Sequence, residues 1–250
     1  MIIGAQFYTI RDFCKNLDDF AESLKRVADI GYTTVQISGT CAYDPLWLKE
    51  QLDKNGLSCV LTHIPRERLV GEPEKVAKEH DVFDCPYIGL GSFVFDENAD
   101  GQHFDQFVAA YRPVMQAFRE NGKYFMYHNH HHEFRKLGDK VYLQHLADTF
   151  SKEEMGFTLD TYWVQRGGGD PARWLENLKG RVPCIHLKDM AYDNVMAVVG
   201  EGNINFERVF CKAEQAGTKY MLVEQDDCNG EDPFDCLKRS YQYLKAQGFH

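Results

Sequence analysis

Short apolar segments alternate with amphipathic segments along the chain, and this alternation constrains the fold more than any other feature. The apolar segments have the length and the β-branched or aromatic content of strands, whereas the segments between them repeat apolar residues at helical spacing. The predicted strands are 2–8, 33–37, 57–61, 85–90, a run beginning at 124, a run ending at 160, 182–187 and 220–224. Strands that alternate with helices form a parallel sheet, and eight such units that close on themselves form a (β/α)8 TIM barrel.

An open, doubly wound sheet is the alternative arrangement of the same elements. Such folds commonly place a glycine-rich phosphate-binding turn after the first strand. Here the sequence YTIRD occupies residues 8–12, so the barrel is favoured. The chain has 250 residues, a common length for one barrel, and we see no linker, repeat or low-complexity segment. The sequence therefore predicts a single domain over residues 1–250.

The composition argues against several classes of function. The net charge is −10, and an acidic chain lacks the clustered lysines and arginines that nucleic-acid binding needs. No apolar run approaches the ~18 residues that span a bilayer, and the N-terminus lacks the charged and apolar regions of a signal peptide. The eight cysteines are scattered without a CxxC pair, which is typical of reduced thiols in a cytoplasm. We therefore expect a cytoplasmic protein that binds neither nucleic acid nor membranes.

Residues 127–134, with the sequence YHNHHHEF, form the segment that is richest in groups able to bind metals and transfer protons. Side chains alternate along a strand. If strand five continues through this segment, His128, His130 and His132 share one face and Glu133 lies on the other. A bulge or turn near residue 131 would re-aim Glu133 towards the barrel mouth.

Polar side chains also stand at the C-terminal ends of later predicted strands, which is where barrels of this type carry their active sites. Asp160 ends strand six, and its apolar neighbours face the helices, so alternation points it inward. His186 and Lys188 share the inner face of strand seven by the same argument. Glu224 ends strand eight on a face that alternation allows to be the inner one. The sequence therefore predicts that these groups meet at the barrel mouth.

Carboxylates that converge with an imidazole repel one another unless a cation compensates their charge. Oxygen-rich ligand sets with one nitrogen suit Mn²⁺, Mg²⁺, Co²⁺ or Zn²⁺. Such an ion acts as a Lewis acid on a substrate carbonyl, and a neighbouring carboxylate removes the acidified proton beside that carbonyl. Five polar side chains at the strand ends are predicted substrate contacts: Gln36, His63, His128, His130 and Lys188.

Six short motifs carry a resemblance to a known family. They are YTIRD (8–12), YHNHHHEF (127–134), LDTYW (159–163), IHLKDM (185–190), VGEG (199–202) and VEQD (223–226). With these motifs the chain resembles the xylose isomerase-like barrels, and more narrowly the sugar phosphate isomerases/epimerases, over nearly its whole length.

The resemblance implies that Asp160, His186 and Glu224 bind one divalent metal ion, with Mn²⁺ the first expectation, and that Glu133 is the fourth ligand. Family members that carry a glutamate within strand five have it where His128 or His130 stands here. The resemblance also implies that Glu133 and Glu224 form the acid/base pair that moves a proton between adjacent carbons of a ketose or keto sugar. The family also includes inosose dehydratases and lyases or hydratases of 3-keto-glycosides, so elimination is the alternative reaction.

Other classes of function also fit the barrel. Endonuclease IV shares the fold, but it needs three zinc ions and a basic groove, whereas this chain is acidic and carries Thr161-Tyr162 after Asp160. A sugar-binding barrel without turnover is a second alternative. Barrels of this kind often pair, which leaves a homo-oligomer open, and no interface is legible in the sequence.

Overall fold

The computed structural model describes residues 1–95 and 101–250, and eight parallel strands form a closed barrel within them. The strands are β1 (Ile2–Gln6), β2 (Thr34–Ile37), β3 (Ser58–His63), β4 (Tyr87–Leu90), β5 (Tyr124–His128), β6 (Met155–Asp160), β7 (Cys184–Leu187) and β8 (Tyr220–Val223). Each strand pairs with the next along the chain, and β8 closes the ring against β1. The predicted (β/α)8 barrel is therefore confirmed.

Ten α-helices surround the strands in the described residues. They are α1 (Leu17–Ile30), α2 (Pro45–Asn55), α3 (Arg66–Gly71), α4 (Pro73–Val82), α5 (Gln102–Glu120), α6 (Tyr142–Thr149), α7 (Thr161–Arg166), α8 (Pro171–Asn177), α9 (Phe206–Ala216) and α10 (Pro233–Ala246). Three of them begin at Asp-Pro pairs, in which the aspartate side chain accepts hydrogen bonds from the first turn and proline fixes the first helical residue. The capping residues are Asp44, Asp170 and Asp232.

Alternation along the strands divides the apolar residues into two layers. Leu61, Met126, Cys184 and Leu222 belong to one small buried cluster, which fills the barrel interior below the polar strand ends. Outward-pointing residues such as Phe157 belong to the larger core between the strands and the helices. The inner cluster therefore forms a packed floor beneath the polar groups at the barrel mouth.

The structure departs from the predicted elements mainly where strands end. Strand β1 stops at Gln6 and continues as a 3-10 helix over Phe7–Phe13, and β5 stops at His128 before a 3-10 helix over His132–Phe134. Two short hairpins and the helices α3 and α7 are additions to the predicted set. None of the helices in residues 1–95 and 101–250 combines the length and the hydropathy that crossing a bilayer requires.

Candidate metal centre

Four buried side chains converge at the C-terminal mouth of the barrel: His128 from β5, Asp160 from β6, His186 from β7 and Glu224 just after β8. One nitrogen or oxygen atom of each lies within 4.8 Å of the corresponding atoms of the other three. Asp160 and His186 are direct neighbours in the β6–β7 register. The structure thus brings Asp160, His186 and Glu224 together, as the sequence predicts, and adds His128.

The two imidazoles are held so that one nitrogen of each faces the centre. Nδ1 of His128 donates to the carbonyl of Gly91 (2.8 Å), which leaves Nε2 facing Oδ2 of Asp160 at 3.4 Å. Nε2 of His186 donates to Oε1 of Gln36 (2.6 Å), which leaves Nδ1 facing the centre. A partner on the outer nitrogen fixes the tautomer and the orientation of a metal-binding histidine.

The carboxylates of Asp160 and Glu224 likewise each direct one oxygen away from the centre and the other towards it. Oδ1 of Asp160 accepts a hydrogen bond from the backbone N–H of Trp163 (2.9 Å), while Oδ2 lies 3.7 Å from Nδ1 of His186. Oε1 of Glu224 accepts a hydrogen bond from Nε2 of Gln6 (2.8 Å), while Oε2 lies 2.9 Å from Nδ1 of His186. These two close atoms are buried, and within the described residues neither has an aligned hydrogen-bond partner. Their close contacts are each other and, for Oε2 of Glu224, the ammonium group of Lys188 at 3.0 Å. Nitrogen and oxygen atoms grouped in this way form a ligand set that a divalent cation fits.

The expected position of Glu133 needs correction. Strand β5 ends at His128, and the chain then turns back into the 3-10 helix of residues 132–134. The buried carboxylate of Glu133 accepts hydrogen bonds from the hydroxyl of Tyr127 (2.6 Å) and the backbone N–H of His130 (2.8 Å), and it lies 3.1 Å from Nε2 of His132. It therefore groups with His130 and His132, and His128 takes the fourth position of the central group.

Lys188 places a positively charged ammonium group at the site. Its buried Nζ lies 3.2 Å from Oδ2 of Asp160, 3.0 Å from Oε2 of Glu224 and 3.0 Å from Asp226. Burial alone would lower the pKa of Lys188, but the three carboxylates raise it above its ordinary value. Asp226 is a site residue that the sequence reasoning missed. Burial raises its pKa to about 6, with a further contribution from Glu224 and opposition from Lys188.

Asp160 and Glu224 stay ionised in this setting. Burial alone would raise both pKa values, but Lys188 and the neighbouring imidazoles hold them below their ordinary values. With Asp226, three carboxylates face the ammonium group of Lys188 and the imidazole of His186, whose pKa burial alone would lower but Glu224 and Asp160 raise above its ordinary value. A divalent cation bound there would compensate the carboxylates, because buried charges are stable only when they are paired.

A cavity of about 530 Å³ opens above these groups. His63, His128, His130, Lys188 and Trp163 line it, whereas Gln36 lies behind His186 rather than among the lining residues. This corrects the predicted substrate contact at Gln36, which instead orients the imidazole of His186. Nδ1 of His130 is buried and has no hydrogen-bond partner in the described residues. Burial, then His128 and Lys188, lower the pKa of His130 to about 2, so its ring faces the cavity as a neutral imidazole.

Comparison with known proteins agrees with this fold. A sugar phosphate isomerase/epimerase from Parabacteroides distasonis ATCC 8503 is 23% identical and has a TM-score of 0.83, with 98% of this chain and 93% of that chain covered. A probable 3-DHS dehydratase from Bacillus anthracis is 15% identical, with a TM-score of 0.76 and coverage of 98% and 99%. A structure named L-ribulose 3-epimerase is 13% identical, with a TM-score of 0.74 and coverage of 98% and 94%. At these identities the likeness establishes the fold alone.

Sequence comparison assigns the family. No curated protein matches the chain significantly in sequence. Residues 24–247, however, match the family described as xylose isomerase-like TIM barrel, and this range includes the whole candidate metal centre. The chain belongs to the xylose isomerase-like TIM barrel family.

Proposed function

We propose that this protein is a divalent-metal-dependent enzyme that removes a proton from the carbon beside the carbonyl of a ketose or keto sugar. One observation carries the proposal. His128, Asp160, His186 and Glu224 each present one atom to a common centre while the opposite atom is held by another group. Mn²⁺ is the first candidate and Mg²⁺, Co²⁺ and Zn²⁺ are alternatives, because mixed oxygen and imidazole sets accept all four.

A metal ion bound there would supply Lewis acidity towards a substrate carbonyl or hydroxyl oxygen. Glu224 is the proposed general base, since its carboxylate is ionised, lines the cavity and is steered by Gln6. The ammonium group of Lys188 also lines the cavity and would donate a hydrogen bond to the oxygen that gains negative charge. Asp226, with a pKa of about 6, is suited to return a proton near neutral pH.

The position of Glu133 bears on which reaction follows proton removal. Epimerisation through two carboxylates needs one on each face of the planar intermediate. Here Glu224 and Asp226 both follow β8, whereas β5 and its loop present His128 and His130 to the cavity.

Proton transfer on a single face fits aldose–ketose isomerisation, and it equally fits elimination from a keto sugar. We therefore keep isomerisation as the first candidate and a lyase or dehydratase reaction as the second. Structures named for an epimerase and a dehydratase share the fold.

Deuterium exchange tests the shared step and separates the two outcomes. Protein loaded with Mn²⁺ is incubated in D₂O with a panel of ketoses and 3-keto sugars, and the products are analysed by mass spectrometry and NMR. We expect deuterium at one carbon beside the carbonyl. An isomerase returns a sugar of the same composition, whereas a dehydratase or lyase product has lost water or a substituent. Metal binding without exchange on any member of the panel would overturn the proposal in favour of a sugar-binding barrel.

A further inference from the structure

A second cavity, of about 550 Å³, adjoins the cavity above the metal centre. It lies between the loop that follows β2 and the helices α3 and α4. Four residues line both cavities: Ser38, His63, Ile64 and Pro65. Cavities of this size hold organic groups of several rings. The two cavities are therefore neighbours that meet at these four residues.

His63 stands at the junction. Its Nδ1 lies 3.3 Å from Oγ of Ser38, and its ring centre lies 5.2 Å from that of His128 and 5.8 Å from that of His186. Nε2 of His63 is buried and has no hydrogen-bond partner in the described residues. A Cβ atom at Gly89 would lie 2.9 Å from this ring, so the glycine leaves room for it. His63 thus lies between the two cavities and lines both of them.

The charged residues that line the second cavity are paired with one another or with Glu72. Arg68 contacts Glu72 at 2.6 Å and Glu79 at 2.7 Å, and Lys75 contacts Glu72 at 3.0 Å. His80 uses both ring nitrogens in hydrogen bonds of 2.7 Å. A phosphate or carboxylate would have to displace these partners, so a neutral occupant fits better.

The remaining wall is largely apolar. Tyr43 and Phe83 contribute aromatic rings, and Ile64, Pro45 and Pro65 contribute aliphatic surface. Aromatic and aliphatic surfaces bind ligands mainly by burial of apolar area, with preferred edge and face contacts to aromatic rings. The chemistry of the second cavity therefore differs from that of the metal centre, where charged groups dominate.

We propose that the substrate is an elongated molecule, with its reacting sugar ring in the first cavity and a neutral, apolar substituent such as an aryl group in the second. The atom that links the two parts lies beside His63. The inference rests on the proposed function for the sugar and adds the class of substituent. It excludes a phosphate as the group that fills the second cavity.

Paired glycosides test the proposal by binding rather than by turnover. Phenyl and methyl glycosides of glucose, galactose and xylose are titrated into Mn²⁺-loaded protein by isothermal calorimetry. We expect a phenyl glycoside to bind about 10-fold more tightly than its methyl counterpart, because the ring buries additional apolar area. Ala42 is exposed and lines the second cavity, so Ala42→Trp should fill it and reduce the difference to within about 2-fold. Leu46→Trp, an exposed change outside both cavities, is the matched control and should leave the difference intact.

The results separate this inference from the proposed reaction. Equal affinity of every phenyl and methyl pair, including no measurable binding of either, overturns the elongated substrate. A phenyl preference that survives Ala42→Trp overturns it as well. A phenyl preference without deuterium exchange on any sugar leaves the elongated ligand in place and removes only the reaction.

Discussion

The hydroxyl of Tyr127 donates a hydrogen bond of 2.6 Å to Oε1 of Glu133. The Tyr127 ring packs against Phe107 of α5 and Phe157 of β6, so this bond lies in the layer outside the barrel wall. The next residue, His128, points inward to the metal centre, because consecutive side chains of a strand face opposite sides. The carboxylate of Glu133 therefore lies outside the group of four inward-facing side chains.

Replacing Glu133 with Gln should reduce stability and leave metal binding in place. The amide offers one acceptor to the donors Tyr127, His130 and His132, so buried donors lose their partners. We expect the free energy of unfolding in denaturant to fall by about 1–3 kcal/mol. The exposed control Glu153→Gln should change it by less than about 0.5 kcal/mol. Loss of bound Mn²⁺ from Glu133→Gln would instead make Glu133 a ligand.

Asp160 and Asp170 provide a matched pair for testing the metal centre. Both cap a helix, and Asn preserves a cap, but only Asp160 also faces the central group. We expect Asp160→Asn to weaken Mn²⁺ binding by more than about 10-fold, since even outer-shell changes reach that size. Asp170→Asn should bind Mn²⁺ as the wild type does. Calorimetric titration checks both, and unchanged affinity in Asp160→Asn would contradict the assignment.

Lys188→Met should make the stability of the protein depend on metal. The substitution removes the shared ammonium group from the buried Asp160 and Glu224 and from the half-buried Asp226. We expect the metal-free variant to lose about 3–5 kcal/mol in the free energy of unfolding and to regain part of it with Mn²⁺. The exposed pair of Lys140 and Asp148 gives the control, because Lys140→Met should cost about 0–1 kcal/mol. A metal-free Lys188→Met protein as stable as the wild type would refute this charge balance.

His80 should make stability depend on pH. Burial is the main cause that lowers its pKa from 6.5 to about 4 in the folded protein. Between these values the unfolded chain holds a proton that the folded protein lacks, so stability falls as the pH decreases from about 6.5 to about 4. The loss approaches about 3 kcal/mol. We expect the free energy of unfolding in denaturant to depend less on pH across this range in His80→Gln than in the wild type. The exposed control is His250→Gln. Parallel profiles for wild type and His80→Gln would show that another group is responsible.

The barrel and three of the four inward groups could be predicted because both depend on local pattern. The residues next to Asp160, His186 and Glu224 along their strands, such as Leu159 and Val223, are apolar and face the helices. Because side chains alternate along a strand, the three polar residues must point into the barrel. The order of the strands then brings their ends together without any further information, since sequential parallel strands are neighbours in a barrel.

The fourth group could not be assigned with the same certainty because it depends on where β5 stops. A strand that continued beyond His128 would place His130 on the same face, and a turn three residues later would bring Glu133 inward. The bonds that fix the actual end come from outside the segment, including the Gly91 carbonyl on Nδ1 of His128. Asp226 was missed for the same reason, since only its contact with Lys188, 38 residues away, identifies it. Met126 indicates the direction of His128. The two residues are two positions apart on one strand, so they face the same side, and Met126 lies in the inner cluster.

Asp160 serves the scaffold through Oδ1, which holds Trp163 at the start of α7, and the metal centre through Oδ2. Exchange of one atom, oxygen for nitrogen, preserves the first task and abolishes the charge on which the second depends. A single substitution in this chain would therefore keep the start of α7 in place and remove one negative charge from the barrel mouth.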